Sequence, residues 1–171
     1  ASEGLHAAHQ RGVVHRDIKP ANLMLEDEDG REVVKVIDFG VARLRRTDAD
    51  ATVASVSGRG FFTGTPAYAS PEQIRGEPLT AASDVYSLGV LLCELLTGAR
   101  PYRLSDVPGT VGGEAVVRFA TPSASQLRGD IDDILLKALH ERPEQRYAKV
   151  EAMAADIVRH LQAASVRQRM Q

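Results

Sequence analysis

The 171-residue sequence has no tryptophan, one cysteine, three methionines and only 5% aromatic residues. A single thiol, Cys93, can form neither an internal disulfide nor a cysteine metal cage. That excludes disulfide-stapled scaffolds and zinc fingers and suits a reducing, cytoplasmic setting. A surplus of one charge is missing as well: 21 basic residues stand against 23 acidic ones, for a formal net charge of -2. Without a cationic excess there is little to hold a nucleic-acid backbone, so nucleic acid is not an expected partner. Long apolar runs are also lacking. The longest, Val85 to Leu96, contains Glu94 and falls short of the ~20 residues that cross a bilayer, so it reads as core and no membrane contact is expected from this segment. What is present, 43% hydrophobic and 26% charged residues, fits one globular domain or part of one.

Leu5 and Ala8 share a helical face and Gly12 stands where a C-cap glycine belongs, so residues 1–11 read as the end of a helix. Val13-Val14 opens an extended piece. Leu23-Met24-Leu25 and Val33 to Ile37 are β-prone runs on either side of an acidic turn, Glu26 to Gly30, and predict a small hairpin. A calcium loop is excluded there, because Gly30 at the loop glycine would put Leu25 and Val36 where carboxylates are needed. Residues 41–66 lose apolar periodicity and gather Ser, Thr, Gly and Arg43, Arg45 and Arg46, which predicts a mobile surface loop with a lid or binding role. Val85 to Leu96 is apolar on every side of a helix, the pattern of burial all round. Residues 101–129 read as loop with a short helix at Glu114 to Phe119. Behind the N-cap candidate Asp130, Ile131, Ile134, Leu135, Ala138 and Leu139 mark an amphipathic helix, and Val150, Met153, Ala154, Ile157, Val158 and Leu161 mark another. His6, His9, His140 and His160 show no metal-ligand spacing and are expected at the surface or at caps. Cys93 is expected to be an inert buried thiol.

The stretch richest in chemistry is His15-Arg16-Asp17-Ile18-Lys19-Pro20-Ala21-Asn22, followed by Asp38-Phe39-Gly40 at the end of a β-prone run. An aspartate can accept a hydroxyl proton, a lysine can neutralise phosphate, and amide and carboxylate oxygens suit Mg²⁺. These are the parts of a phosphoryl-transfer site. The two motifs resemble the catalytic loop and metal-binding motif of protein kinases. The resemblance implies that Asp17 orients or deprotonates the substrate hydroxyl and Lys19 contacts the transferring phosphate. It also implies that Asn22 and Asp38 hold Mg²⁺, Met24 lies under the adenine of ATP, and His15 packs near Phe39. Gly64-Thr65-Pro66-Ala67-Tyr68-Ala69-Ser70-Pro71-Glu72 resembles the end of a kinase activation segment, with Ser70 in place of alanine. By the same resemblance Glu72 pairs with Arg146, Asp84 hydrogen-bonds the catalytic-loop backbone, and Lys19 with Thr65 indicates serine or threonine acceptors. The wording of both motifs, with Gln73 after Glu72, is most similar to the eukaryotic-like kinases of bacteria. Arg16 and Arg43 are implied to receive an activating phosphate, with Ser55 or Ser57 as its expected site and Thr52 and Thr63 as lesser candidates.

A glycine-rich phosphate loop and a strand lysine are not found ahead of His15. The resemblance therefore implies a mainly α fold with a small β-hairpin: an α+β, kinase-like C-terminal lobe without the N-terminal lobe. It would span residues 1–162 and be followed by a polar tail at 163–171. Two readings follow from it. In one, the chain is part of a serine/threonine kinase whose N-terminal lobe acts in cis on ATP and protein substrates. In the other, it is a truncated, catalytically silent lobe used for binding or regulation.

Overall fold

The computed structural model describes residues 2–39, 66–101 and 130–169. Ser2–His9 forms the first helix (α1), and the chain leaves it through Gly12, whose φ of +72° is the left-handed conformation that a β-carbon disfavours. The extended piece expected at Val13-Val14 pairs with no strand among the described residues. A 3-10 turn at Pro20–Asn22 leads into β1 (Leu23–Glu28), which pairs antiparallel with β2 (Arg31–Val36). The turn is tighter than the acidic run suggested. Only Asp29 and Gly30 lie between the paired residues Glu28 and Arg31, both at positive φ (+55° and +79°), as a type I′ turn requires. Glu26, Asp27 and Glu28 are strand residues, and the ammonium of Lys35 offsets their charge by pairing with both Glu26 and Glu28.

The remaining described elements are helical. Ser70 caps α2 (Pro71–Arg75), its side chain accepting from the Gln73 amide at 3.4 Å, and Gly76 closes it at φ +70°. Thr80 and Ser83 form a reciprocal capping box at the start of α3 (Ala81–Thr97). α4 (Asp130–Ala138) and α5 (Val150–Arg169) follow the predicted stripes. Asp130 is the first residue of α4 rather than its cap, and with Asp132 and Asp133 it gives the helix an acidic first turn that suits the backbone dipole. α5 continues without a break past residue 162 to Arg169. No helix among the described residues is long and apolar enough to cross a membrane.

Leu5 of α1, Ile18, Val85 of α3, Ile134 and Ala138 of α4, and Tyr147, Val150 and Met153 near or in α5 make one buried cluster. Tyr86 and Val90 make a second with Tyr68 and Leu139. The central helix is therefore α3. Its burial is not complete along its length: Val85 and Val90 are sealed, whereas Leu95 and Leu96 in the last turn are 73% and 47% exposed. The apolar pattern describes composition around the helix, not where the helix emerges from its neighbours. Gly89 lets α3 and α4 approach closely, since a β-carbon there would stand 3.0 Å from Ala138 Cβ and 3.2 Å from Leu139 Cδ2. Gly89→Val is expected to lower unfolding free energy by about 2 kcal/mol, read from urea denaturation, because overpacking outweighs the small gain in helix propensity. A variant as stable as the parent would contradict this packing.

Candidate active site

The segment between Gly12 and β1 holds the candidate reaction groups, and one carboxylate shapes it. Asp84, 1% exposed in the first turns of α3, accepts from the backbone amides of His15 (2.8 Å, Oδ2) and Arg16 (2.9 Å, Oδ1). His9 Nε2 of α1 donates to the same Oδ2 at 2.7 Å. Arg16 is held at φ +70°, an uncommon conformation for a residue with a β-carbon. Two amide donors aimed at one fixed carboxylate supply the stabilisation that this turn needs.

Beyond that turn the predicted reaction groups come together. Lys19 Nζ lies 2.7 Å from Asp17 Oδ2, and Asn22 Nδ2 donates to the Asp17 carbonyl (2.7 Å) and, at 3.3 Å, to the same Oδ2. Pro20 at the head of the 3-10 turn lets the chain reverse so that Asn22 reaches back five residues. The Ile37 amide donates to the Asn22 carbonyl at 3.0 Å, which fixes the end of β2 beside the loop and leaves Asp38 next in line at φ +61°.

His15 is fully buried, and its partners define its tautomer. Nε2 lies 3.0 Å from the Ile37 carbonyl, which can only accept, so Nε2 carries the proton. Nδ1 is then free to accept from the Asp17 amide at 3.2 Å. Its ring centroid is 4.7 Å from that of Phe39, the expected packing. Met24 is 40% exposed on β1. The expected sites at Gly40, Arg43, Thr52, Ser55, Ser57, Thr63 and Thr65, the loop 41–66 and the short helix at 114–119 lie outside the described residues, apart from Pro66.

A protein kinase domain model matches residues 1–160. The chain belongs to the protein kinase domain family. It is 43% identical over 162 residues to the serine/threonine-protein kinase PknB of Mycobacterium leprae and 41% identical over the same length to its Mycobacterium tuberculosis counterpart. Each alignment covers 93% of this chain and 25% of the relative. A probable serine/threonine-protein kinase of Corynebacterium efficiens, CE0033, is 36% identical over 160 residues, 90% of this chain and 23% of that protein. The chain thus spans about a quarter of the length of the curated relatives it matches.

In this kinase chain the Glu72–Arg146 pair joins α2 to the turn before α5. The two side chains meet through paired contacts of 2.7 and 2.8 Å, with both residues buried. Arg146 also donates to the carbonyls of His140, Ala82 and Glu141, so all five guanidinium N–H groups are used, and its Cζ lies 4.8 Å from the centroid of the Tyr86 ring. Burial works to raise the Glu72 carboxyl, but the hydrogen bonds from Arg146 and Ser83 outweigh it and hold the group below its ordinary range.

Several contacts carried no sequence signal. His9, expected at the surface or at a cap, has its side chain 8% exposed against Asp84, because the end of α1 reaches the start of α3. Ser70 acts as a cap, a role that a serine directly before Pro71 does signal. Gln73 Nε2 donates to the Arg16 carbonyl at 2.6 Å. Tyr68 donates to Glu94 at 2.6 Å, and burial followed by that carboxylate pushes its hydroxyl up to about 12. His6, by contrast, pairs with Glu151 on the surface, and His140 accepts from the Arg142 amide in a turn, as expected of cap and surface histidines. Cys93 is buried, and burial pushes its thiol up, as an inert cysteine requires.

Glu72→Gln is expected to cost about 3–5 kcal/mol at neutral pH by leaving Arg146 buried without its counter-charge. Because the folded carboxyl is depressed, its contribution is present above the ordinary carboxylate range and fades as pH falls through the folded value. The gap between parent and variant in denaturant titrations therefore narrows in acid. A gap that is small at pH 7, or that widens in acid, would contradict the pair's assigned role.

Proposed function

We propose that residues 1–162 are the C-terminal lobe of a serine/threonine protein kinase catalytic domain. The complete protein transfers the γ-phosphoryl group of ATP to serine or threonine hydroxyls of protein substrates in the cytoplasm. The observation that carries this reading is the convergence of Lys19 and Asn22 on Asp17, beside the strand end that bears Asp38. A separate lobe in cis provides the glycine-rich loop and strand lysine, and the isolated chain is expected to show no measurable phosphotransfer.

Lys19 and Asn22 both engage Asp17 Oδ2, so Oδ1 is the atom that meets the substrate hydroxyl, orients it and takes up its proton. Lys19, two residues on, places a cation where the phosphoryl group passes between nucleotide and acceptor. The Asn22 amide nitrogen is committed to Asp17, so its amide oxygen remains for a cation. With the Asp38 carboxylate it makes the hard-oxygen donor set that fits Mg²⁺. When bound, Mg²⁺ neutralises phosphate charge. Met24, half-exposed on β1, offers an apolar surface for the adenine, and the family resemblance assigns Thr65 to recognition of the acceptor. Arg16 Nε is buried without a hydrogen-bond partner, which supports a role for Arg16, with Arg43, in receiving a phosphate on Ser55 or Ser57.

Asp17→Asn in the complete kinase is expected to lower kcat by about 10²–10⁴-fold with folding retained. Undiminished turnover would remove Asp17 from the reaction. Phosphopeptide mapping of the active enzyme is expected to find phosphate between Arg43 and Thr65, and a segment free of phosphate in active enzyme would overturn the regulatory assignment.

A further inference from the structure

We infer that Gln73 is a positioning residue for phosphoryl transfer, holding the peptide bond that aims Asp17. The inference rests on the kinase reading of Asp17. The Arg16–Asp17 peptide unit is gripped at both of its polar atoms: its carbonyl accepts from Gln73 Nε2 at 2.6 Å, and its amide donates to His15 Nδ1 at 3.2 Å. A carbonyl only accepts, so the nitrogen end of the Gln73 amide must face it. With both ends fixed, the plane of this peptide cannot rotate, and the direction in which Asp17 leaves the backbone is set.

The need for such a grip comes from the residue before it. Arg16 sits at φ +70°, and relaxation toward negative φ would swing the following peptide and carry Asp17 away from Lys19 and Asn22. Asp84 secures the N–H side of Arg16 and Gln73 secures its carbonyl side. Gln73 is itself well anchored. Its own amide is received by Ser70, and its neighbour Glu72 is locked to Arg146, so the bond to the loop starts from a fixed helix. Gln73 also lines a small polar cavity together with Arg16, Asp17, Ile18, Tyr68 and Ser87. When the donor is lost, a water in this cavity can take its place on the carbonyl, so the loss falls on geometry more than on stability.

The test compares Gln73→Met, which keeps the length and removes the donor, with parent enzyme in the complete kinase. The same substitution is also made on an Arg16→Gly background, where positive φ no longer opposes a β-carbon. The expected result is a roughly tenfold fall in kcat with KM for ATP and the melting temperature little changed. On the Arg16→Gly background the same substitution is expected to cost no more than about twofold, because the constraint it relieves is gone. An unchanged kcat, or an equal loss on both backgrounds, would overturn the inference. Amide hydrogen exchange across residues 15–18, expected to rise about tenfold in Gln73→Met, reads the grip without using activity. If the parent kinase transfers no phosphate, the kinase reading fails by itself. Exchange that is unchanged overturns the grip whether or not the parent is active.

Discussion

A single buried carboxylate joins three parts of this molecule that are far apart in sequence. Asp84 on α3 receives the side chain of His9 from α1 and the amides of His15 and Arg16 from the loop that holds the candidate reaction groups. A buried carboxyl group is costly unless it is hydrogen-bonded, and here three donors reach it, two of them rigid backbone groups. The N-terminal end of α3, capped by Thr80 and Ser83, adds the favourable end of the helix dipole. The result is a fixed point from which the left-handed turn at Arg16 can be maintained. Lys19, Asn22 and Asp17 are arranged relative to that turn.

Around this point the molecule separates holding from reacting. Glu72 and Arg146 tie α2 to the turn before α5 in an ion pair whose donors are all satisfied, and Gly89 lets α3 and α4 close on each other. These contacts limit the freedom of the elements packed around Asp17, Lys19 and Asn22, and in the proposed phosphoryl transfer position and charge, rather than covalent chemistry, are what such a protein supplies.

Much of this could be read from residues alone, because some signals are local. Gly12, the Asp130 and Val150 stripes and the β-prone runs around Gly30 each encode an element through one turn preference or one periodicity. The ordered set Asp17, Lys19, Asn22, Asp38 carries the resemblance to the kinase motifs in its residue types and order. What was not legible depends on long-range contact. His9 looks like any helical histidine until its side chain meets Asp84 of α3, 75 residues away in sequence. Gln73 gives no hint that its amide ends on a carbonyl 57 residues earlier. The acidic run Glu26 to Glu28 suggested a loop because Lys35, which makes it tolerable in a strand, comes from the facing strand. The exposed end of α3 follows from where its neighbours stop, which no pattern within Val85 to Leu96 records.

The central claim is that the Asp84 carboxylate sets the geometry in which Asp17 acts. Its most direct measurement is steady-state kinetics of Asp84→Asn in the complete kinase, a change that keeps size while removing the charge and one of the two acceptor oxygens. The account predicts a fall in kcat on the order of 10²-fold with KM for ATP nearly unchanged, because the loop is misaimed while the nucleotide's own contacts remain. A kcat equal to that of the parent in a folded variant would contradict it.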